Sequence, residues 1–406
     1  MRKNLLQINA CVGVRSTGRI AESIGVCAQK RGWDTYIAHG ARYTGKSAMS
    51  AIQIGTKLSE YIHYVQGLFL DNHGLASVIE TKKFLKKLDE IRPDIVQLHN
   101  IHGYYINYRL LFEYLEKKRI PVIWTLHDCW AFTGHCSHFV SINCEKWKTE
   151  GCNHCNLKHE YPRTFVDRSK RNFLIKKDVF NSLSRLTIIS VSNWLKNNVD
   201  NSFLSSADGQ IIYNGVDTDI FRPVFNQKKK ILGIENQKML LGVASVWSEE
   251  KGLYDYYKLA DLLPFDYRIV LIGLTKQQIS KLPSKIIGIN RTDCVADLVQ
   301  YYSAADIVLN LSYAETFGMT TVEGFACGTP SIVYDATASP ELVTDTTGIV
   351  VPPGNILSVK QAVEHICDKG KFFYSGFCRQ RALEKFDSKT QCNKYVDLYE
   401  DIICKS

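Results

Sequence analysis

Short apolar runs alternate along the chain with longer stretches whose apolar residues recur at helical spacing. LLQINA (5–10), TYIAHG (35–40), DIVQLHN (94–100), PVIWTLHD (121–128) and TIISVS (187–192) read as strands. Pro93 and Pro121 stand at the start of two of them, where a strand tolerates proline. Helical spacing covers 18–31, 107–118 and 165–185, and SNWLKNN opens another helix. The pattern breaks over about 130–160, which is rich in His, Cys, Asn and Gly and has no period, so it reads as an insertion. QIIYNGVDTDIFRPVFNQKKK (210–230), with its Asn-Gly turn, proline and charge run, reads as a linker. The alternation then restarts. MLLGVAS, YRIVLIG, KIIGI, DIVLNLS and PSIVYD read as strands, with helices at 252–262, 294–303, 318–326 and 357–368 and a final helical stretch at 371–404.

This order predicts an α/β protein of two doubly wound, Rossmann-like parallel-sheet domains. The expected division is 1–222, 223–380 and a C-terminal helix, 381–406, packing back on the N-terminal domain. Ligands of such sheets bind beyond the carboxyl ends of the strands, so a cleft between two facing sheets is the default site.

At 406 residues and 45% hydrophobic, the chain has room for two or three ordinary domains. Its apolar runs fall short of the roughly 18 residues a membrane span needs, and the apolar stretch of MRKNLLQINA is too short for a signal peptide. A cytoplasmic location is expected. Charge is uneven: residues 1–222 hold 30 Lys and Arg against 20 Asp and Glu, while the remainder is nearly balanced. A basic half points to an anionic partner, with phosphorylated ligand, anionic lipid and nucleic acid all fitting, or to a merely solvated surface.

The chemistry concentrates in SYAETFGMTTVEGFACGTPSIVY (312–334). Glu315 and Glu323 lie eight apart, with Gly318 just ahead of a helix whose free N–H groups suit a diphosphate. Glu315 falls near the phosphate end, and Glu323 could hold a ribose through two hydroxyls. An ordinary surface helix carrying two glutamates has the same spacing. E-T-F-G-M-T-T-V-E resembles the E-x7-E element of retaining transferases of glycosyltransferase family 4, with the GT-B fold. SVSNWLKNN followed by IIYNGVDTDIFRP resembles the interdomain region of that family, and SEEKG (248–252) its phosphate-binding lysine loop. SAADIVLNLS and CGTPSIV fit the same C-terminal domain.

The resemblance implies roles for particular residues. Lys251 would pair with the donor diphosphate, and Glu315 would contact donor-sugar hydroxyls. Phe317, Gly318, Met319 and Thr320 would present backbone amides to sugar and phosphate, and Glu323 would hold the ribose. His127, ending WTLHD, would face the sugar; a satisfied core histidine is the plainer reading. CVGVRSTGRIA (11–21) is similar to the family's glycine loop, with Gly13 and Gly18 letting backbone approach a ligand and Arg15 and Arg19 as anion contacts. His99, Asn100 and His102, ending another strand, are candidate acceptor contacts or a polar loop with local hydrogen bonds. The chain departs from the family at Val246, where an Arg often precedes the loop lysine by five residues. The implied reaction moves a hexosyl group from a nucleotide sugar, of the UDP or GDP class, to a lipid-linked saccharide of a capsule or other surface polysaccharide, with retention and without a metal or other cofactor for chemistry.

Two features lie outside that frame. Cys136-x7-Cys144-x7-Cys152-x2-Cys155 has enough thiolates for a closed structural zinc site, with His135, His138, His154 and His159 as spare ligands. The run 158–185 mixes Arg and Lys with Phe165, Phe173, Leu174 and Ile175, a pattern for peripheral contact with an anionic membrane at its cytoplasmic face or for a solvated helix. The rivals to a transferase are a sugar-nucleotide epimerase of the same fold and a nucleic-acid-binding protein using the basic half and a zinc module. The second is disfavoured because no recognised reading motif is present, so no nucleic-acid partner is expected.

Overall fold

The computed structural model describes residues 2–405. The chain divides into two compact units. One runs to Tyr213 and includes everything from Lys389 onward; the other is Asn214–Ser388.

The first unit is built on seven strands: β1 (Asn4–Val12), β2 (Asp34–Thr44), β3 (Ser50–Gln53), β4 (Ile95–Leu98), β5 (Val122–Leu126), β6 (Leu186–Ser190) and β7 (Asp208–Ile211). All pair in parallel, in the order β3-β2-β1-β4-β5-β6-β7. Every residue of β4 and β5 is buried, as a sheet covered on both faces requires. The outermost strands β3 and β7 are mostly exposed, so their sequences, SAIQ and DGQI, carry no strand-like apolar signal. Leu5, Ile24, Ile95, Ile123 and Ile189 form a core with Tyr395, Val396 and Tyr399 from the C-terminal helix Ser388–Cys404.

The second unit has six parallel strands: β8 (Lys238–Val243), β9 (Tyr267–Ile272), β10 (Ile286–Ile289), β11 (Ile307–Asn310), β12 (Ser331–Tyr334) and β13 (Gly348–Val351). Their order is β10-β9-β8-β11-β12-β13. Residues 214–222 belong to this unit. Arg379 donates to the carbonyls of Thr218, Phe221 and Ala326, and Phe221 packs on the Tyr302 ring. Asp217 Oδ1 accepts from the N–H groups of Asp219 and Ile220, so Asp217-Thr218-Asp219 is a turn. The helical stretch 371–404 is two helices, Lys371–Lys385 and Ser388–Cys404. Between them Val216 donates to the Phe386 carbonyl, and Ser388 donates back to that of Val216.

In the basic run Arg163, Lys170, Arg171 and Lys177 are exposed, but one cation is buried. In the helix Ser169–Phe180, Phe173 and Lys176 are buried, and Lys176 Nζ donates to the carbonyls of Trp130 (2.7 Å) and Thr133 (3.0 Å). Burial pulls this ammonium down to about 7. Phe165 and Leu174 are exposed.

Among the described residues no group of three or more His, Cys, Asp or Glu side chains is placed to hold a metal ion. Cys136 pairs with Cys155, a contact that with burial pushes its thiol up, and Cys152 accepts the Gly134 N–H. His154 and His159 are exposed. The insertion has an aromatic core of its own. Trp147 lies 4.9 Å from both Phe132 and Phe139, all three buried. Asp71 anchors His135 and the Arg168 N–H.

Candidate active site

In each sheet the strand order reverses at one point, between β1 and β4 and between β8 and β11. Ligand sites of doubly wound sheets form at such switch points, beyond the carboxyl ends of the strands. The candidate residues collect there in both units.

In the second unit, Lys251 follows β8 and Glu315 follows β11. Their side chains meet in an ion pair of 2.5 Å, both partly exposed. The backbone explains the meeting. Tyr313 N–H and Ser312 Oγ both donate to the Glu250 carbonyl, tying the two loops together. Gly252 takes φ +71° and comes so close to β11 that an added Cβ would lie 2.1 Å from the Leu311 carbonyl oxygen. Tyr313 and Tyr334 both donate to the buried Asp255, fixing the helix Leu253–Leu262 that begins there.

Gly318 is the N-cap of the helix Met319–Ala326, and no side chain caps this end. Its first turn therefore keeps backbone donors and the positive end of the helix dipole for an anion. Met319 and Thr320 are partly exposed in that turn. Phe317 is buried against Phe386. Glu323 lies one turn further on and accepts from the buried Tyr302 hydroxyl at 2.7 Å. Val246 is 71% exposed, so the position lacking the family's Arg faces solvent.

In the first unit, Gly13 ends β1 at φ +64°, where an added Cβ would lie 2.1 Å from the Lys46 carbonyl oxygen. The helix Arg15–Lys30 follows with no side-chain cap and no acid in its first turn. Arg15 lays its guanidinium 3.5 Å from the Tyr43 ring centre, and Arg19 is exposed. Gly18 is buried, its missing side chain leaving room for Cys11, so it serves helix–strand packing. His99 follows β4 and His127 follows β5. Their rings stack, with His99 Nδ1 at 3.1 Å from His127 Nε2. Burial holds both neutral, His127 at about 4 and His99 well below its ordinary value. The Asn100 N–H donates to Asn9 Oδ1.

Of the further groups at this end, Gln7, Asp128 and Tyr161 escape sequence reading. Gln7 Oε1 lies 2.9 Å from His99 Nε2. His102 joins Asp128 (2.8 Å) to the Tyr161 hydroxyl (3.0 Å). Burial alone would raise the Asp128 carboxyl, but His102 and the Trp130 N–H hold it down at about 2.

Two α/β units, each carrying anion-suited groups at its switch point, define the GT-B class of sugar-nucleotide transferase folds. Comparison with known proteins agrees. Residues 18–220 match the model of Glycosyltransferase Family 4, and residues 237–369 match that of Glycosyl transferases group 1. The chain belongs to glycosyltransferase family 4. It is 31% identical over 132 residues to WcaC of Escherichia coli (strain K12), assigned as a colanic acid biosynthesis glycosyl transferase. That match covers 31% of this chain and spans only about a third (32%) of WcaC. Among solved structures, sucrose-phosphate synthase of Thermosynechococcus elongatus superposes with a TM-score of 0.75 at 15% identity, over 100% of both chains. HepE of Anabaena, solved with UDP-glucose, superposes with a TM-score of 0.66 at 16% identity, over 98% of this chain and 99% of that one. At such identities these structures speak for the fold. Among the described residues, no helix is long and apolar enough to cross a membrane.

Proposed function

We propose that this protein is a retaining glycosyltransferase of surface polysaccharide biosynthesis. It takes a nucleotide sugar, UDP- or GDP-linked, and passes the sugar to a lipid-linked saccharide in the cytoplasm. The observation that carries the reading is the Lys251–Glu315 pair, with an uncapped helix N-terminus three residues beyond Glu315 and Glu323 one turn into that helix. A diphosphate bound at the helix N-terminus would draw the Lys251 ammonium, leaving Glu315 to a sugar hydroxyl. Glu323 would accept from the ribose hydroxyls while Tyr302 holds its other side. The binding of UDP-glucose by HepE and the colanic acid assignment of WcaC support the donor and pathway class.

In this mechanism the acceptor oxygen attacks the anomeric carbon from the face the diphosphate is leaving. The bond from that carbon to the phosphate oxygen breaks as the new glycosidic bond forms. The acceptor proton passes to a departing phosphate oxygen. Charge grows on the diphosphate, where Lys251 and the amides of residues 318–320 stabilise it most. A cation and a helix dipole supply this stabilisation without a metal.

The test is thermal shift and nucleotide release with UDP-, GDP-, ADP- and dTDP-sugars in the presence of a chelator. One base class should stabilise the protein and be released on adding acceptor. Glu323→Ala should weaken that binding about ten-fold, as loss of two hydroxyl contacts implies. A folded protein indifferent to all four classes would refute the reading.

A lipid-linked acceptor calls for contact with a membrane surface. The helix Lys57–Leu70 supports this, for it exposes Leu58, Tyr61, Ile62 and Phe69, and Phe69 packs on Phe165, which Arg163 overlies. An apolar stripe beside Lys57 and Arg163 suits an anionic bilayer. In flotation assays the protein should bind phosphatidylglycerol vesicles over phosphatidylcholine ones, and Phe69→Ser with Phe165→Ser should abolish the difference. Equal recovery from both vesicle types in the unaltered protein would rule this surface out.

A further inference from the structure

The insertion over 130–160 has no part in the chemistry proposed above, yet the chain leaves it at Tyr161, which reaches the ligand end of the first sheet. The Tyr161 hydroxyl lies 3.0 Å from His102 Nδ1, and His102 Nε2 lies 2.8 Å from Asp128 Oδ2. His102 stands four residues beyond β4 and Asp128 two beyond β5. Asp128 is fixed in turn, since its Oδ1 accepts the Trp130 N–H at 2.9 Å. The tyrosine is thus tied to the carboxyl ends of two neighbouring strands, one of them at the switch point, where ligands of such sheets bind.

Tyr161 is nevertheless 45% exposed. Water satisfies the hydroxyl of an ordinary surface tyrosine, and ordering its side chain costs rotamer entropy. This one is ordered from two directions. The His102–Asp128 pair holds the hydroxyl. Three rings pack against its own, with centres at 5.7 Å for His102, 5.8 Å for His73 and 6.4 Å for Tyr104. All three are buried, so the part of Tyr161 left open is its outer surface. An aromatic surface ordered before any ligand arrives suits the apolar C–H face of a pyranose, which gains contact area without ordering the protein.

We propose that Tyr161 is a stacking platform for a sugar of the acceptor saccharide, with Asp128 and His102 as its positioning residues, and that the insertion serves to deliver it. Every group involved belongs to the first unit. The proposal rests on the glycosyl-transfer reading for calling the saccharide an acceptor, though not for its being bound. The chain itself links the platform to the exposed apolar stripe. Phe165 follows Tyr161 by four residues, at most about 14 Å of extended backbone. A saccharide whose lipid end lies at the Phe69–Phe165 surface therefore brings its first sugars near Tyr161.

The experiment titrates the whole protein, with 13C-labelled tyrosine rings, with the octyl glycosides of glucose, galactose, mannose and N-acetylglucosamine, each below its micelle concentration. Tyr161→Phe assigns the Tyr161 signal by its loss. Before any addition, 13C relaxation should show this ring as rigid as that of the buried Tyr105. At least one glycoside should then move the signal. A mobile Tyr161 ring, or a signal that none of the four glycosides moves, overturns the proposal, and the unaltered protein alone decides both. Tyr161→Ala should bind the effective glycoside about ten-fold more weakly, the scale of one aromatic contact. Equal affinity in that variant also overturns the platform. His102→Asn, too short to join both partners, should make the ring mobile and lower the affinity about three-fold. A ring that stays rigid there overturns the positioning role. If the glycoside binds at Tyr161 but no nucleotide sugar is bound or turned over, the saccharide platform stands and the transferase reading is what fails.

Discussion

Lys251→Ala is expected to lower kcat by about 10²–10³-fold, the usual scale for removing one preorganised partner of developing charge. The ammonium is held at 2.5 Å from Glu315 before any ligand arrives, so its position costs little to organise when a diphosphate replaces that carboxylate. The charge it meets is larger in the transition state than in the ground state, because the sugar–phosphate bond is breaking. The loss should therefore appear mainly in kcat, with a smaller rise in KM for the donor. The variant also leaves Glu315 without its cation, facing the phosphates with a bare negative charge. Glu315→Gln combined with Lys251→Ala should recover part of the lost donor affinity for that reason. Lys251→Arg should remain impaired, since a planar guanidinium would form a forked pair with Glu315 and not hand over to phosphate as a point charge does. Steady-state kinetics with the donor identified by thermal shift checks each of these. A Lys251→Ala enzyme within about three-fold of the unaltered one would remove Lys251 from the reaction altogether.

The placement of the residues around Lys251 was legible because local patterns set it. Glu315, Gly318 and Glu323 sit on one loop and one helix, so their spacing alone places them. The fold was legible for the strands that are buried on both faces, β4 and β5 among them, since there every residue must be apolar or paired. It was not legible at β3 and β7, where edge position leaves the side chains in solvent and removes the need for an apolar pattern. Lys176 was missed for the opposite reason. Lys176 looks like a surface charge in sequence, and only the tertiary structure brings two carbonyls and the Trp130 ring to bury it. Gln7 carried a signal that pattern reading passed over: a buried carboxamide inside a central parallel strand has to be bonded to something. The same is true of Gln97 in β4, and its partner lies in the last residues of the chain.

That partner makes Tyr399→Ala the substitution with the largest expected effect on stability. Tyr399 is fully buried in the first unit although it lies some 300 residues along the chain from most of its neighbours. Its ring meets Trp33 edge-on at 5.7 Å, and its hydroxyl donates to Gln97 Oε1. Gln97 Nε2 in turn donates to Thr125 Oγ1 at 3.0 Å, and Thr125 donates to the Tyr395 hydroxyl at 3.3 Å. The alanine variant opens a cavity the size of a phenol ring and strands the Gln97 carbonyl oxygen inside the sheet. Truncating a buried aromatic costs about 3–5 kcal/mol, and an orphaned buried acceptor lies at the upper end of that scale. Tyr399→Phe separates the two contributions, because it keeps the ring and loses only the hydroxyl; it should cost about 1–2 kcal/mol. The loss should fall on the unfolding of the first unit, since the second ends at Ser388. Urea unfolding followed by tryptophan fluorescence from Trp33 and Trp124 reads that unit directly, and both variants should shift its midpoint in the order Ala beyond Phe. Equal shifts for the two would mean that the hydroxyl, and not the packing, binds the last helix to the sheet. No shift for either would mean that the helix Ser388–Cys404 contributes nothing to the stability of the first unit.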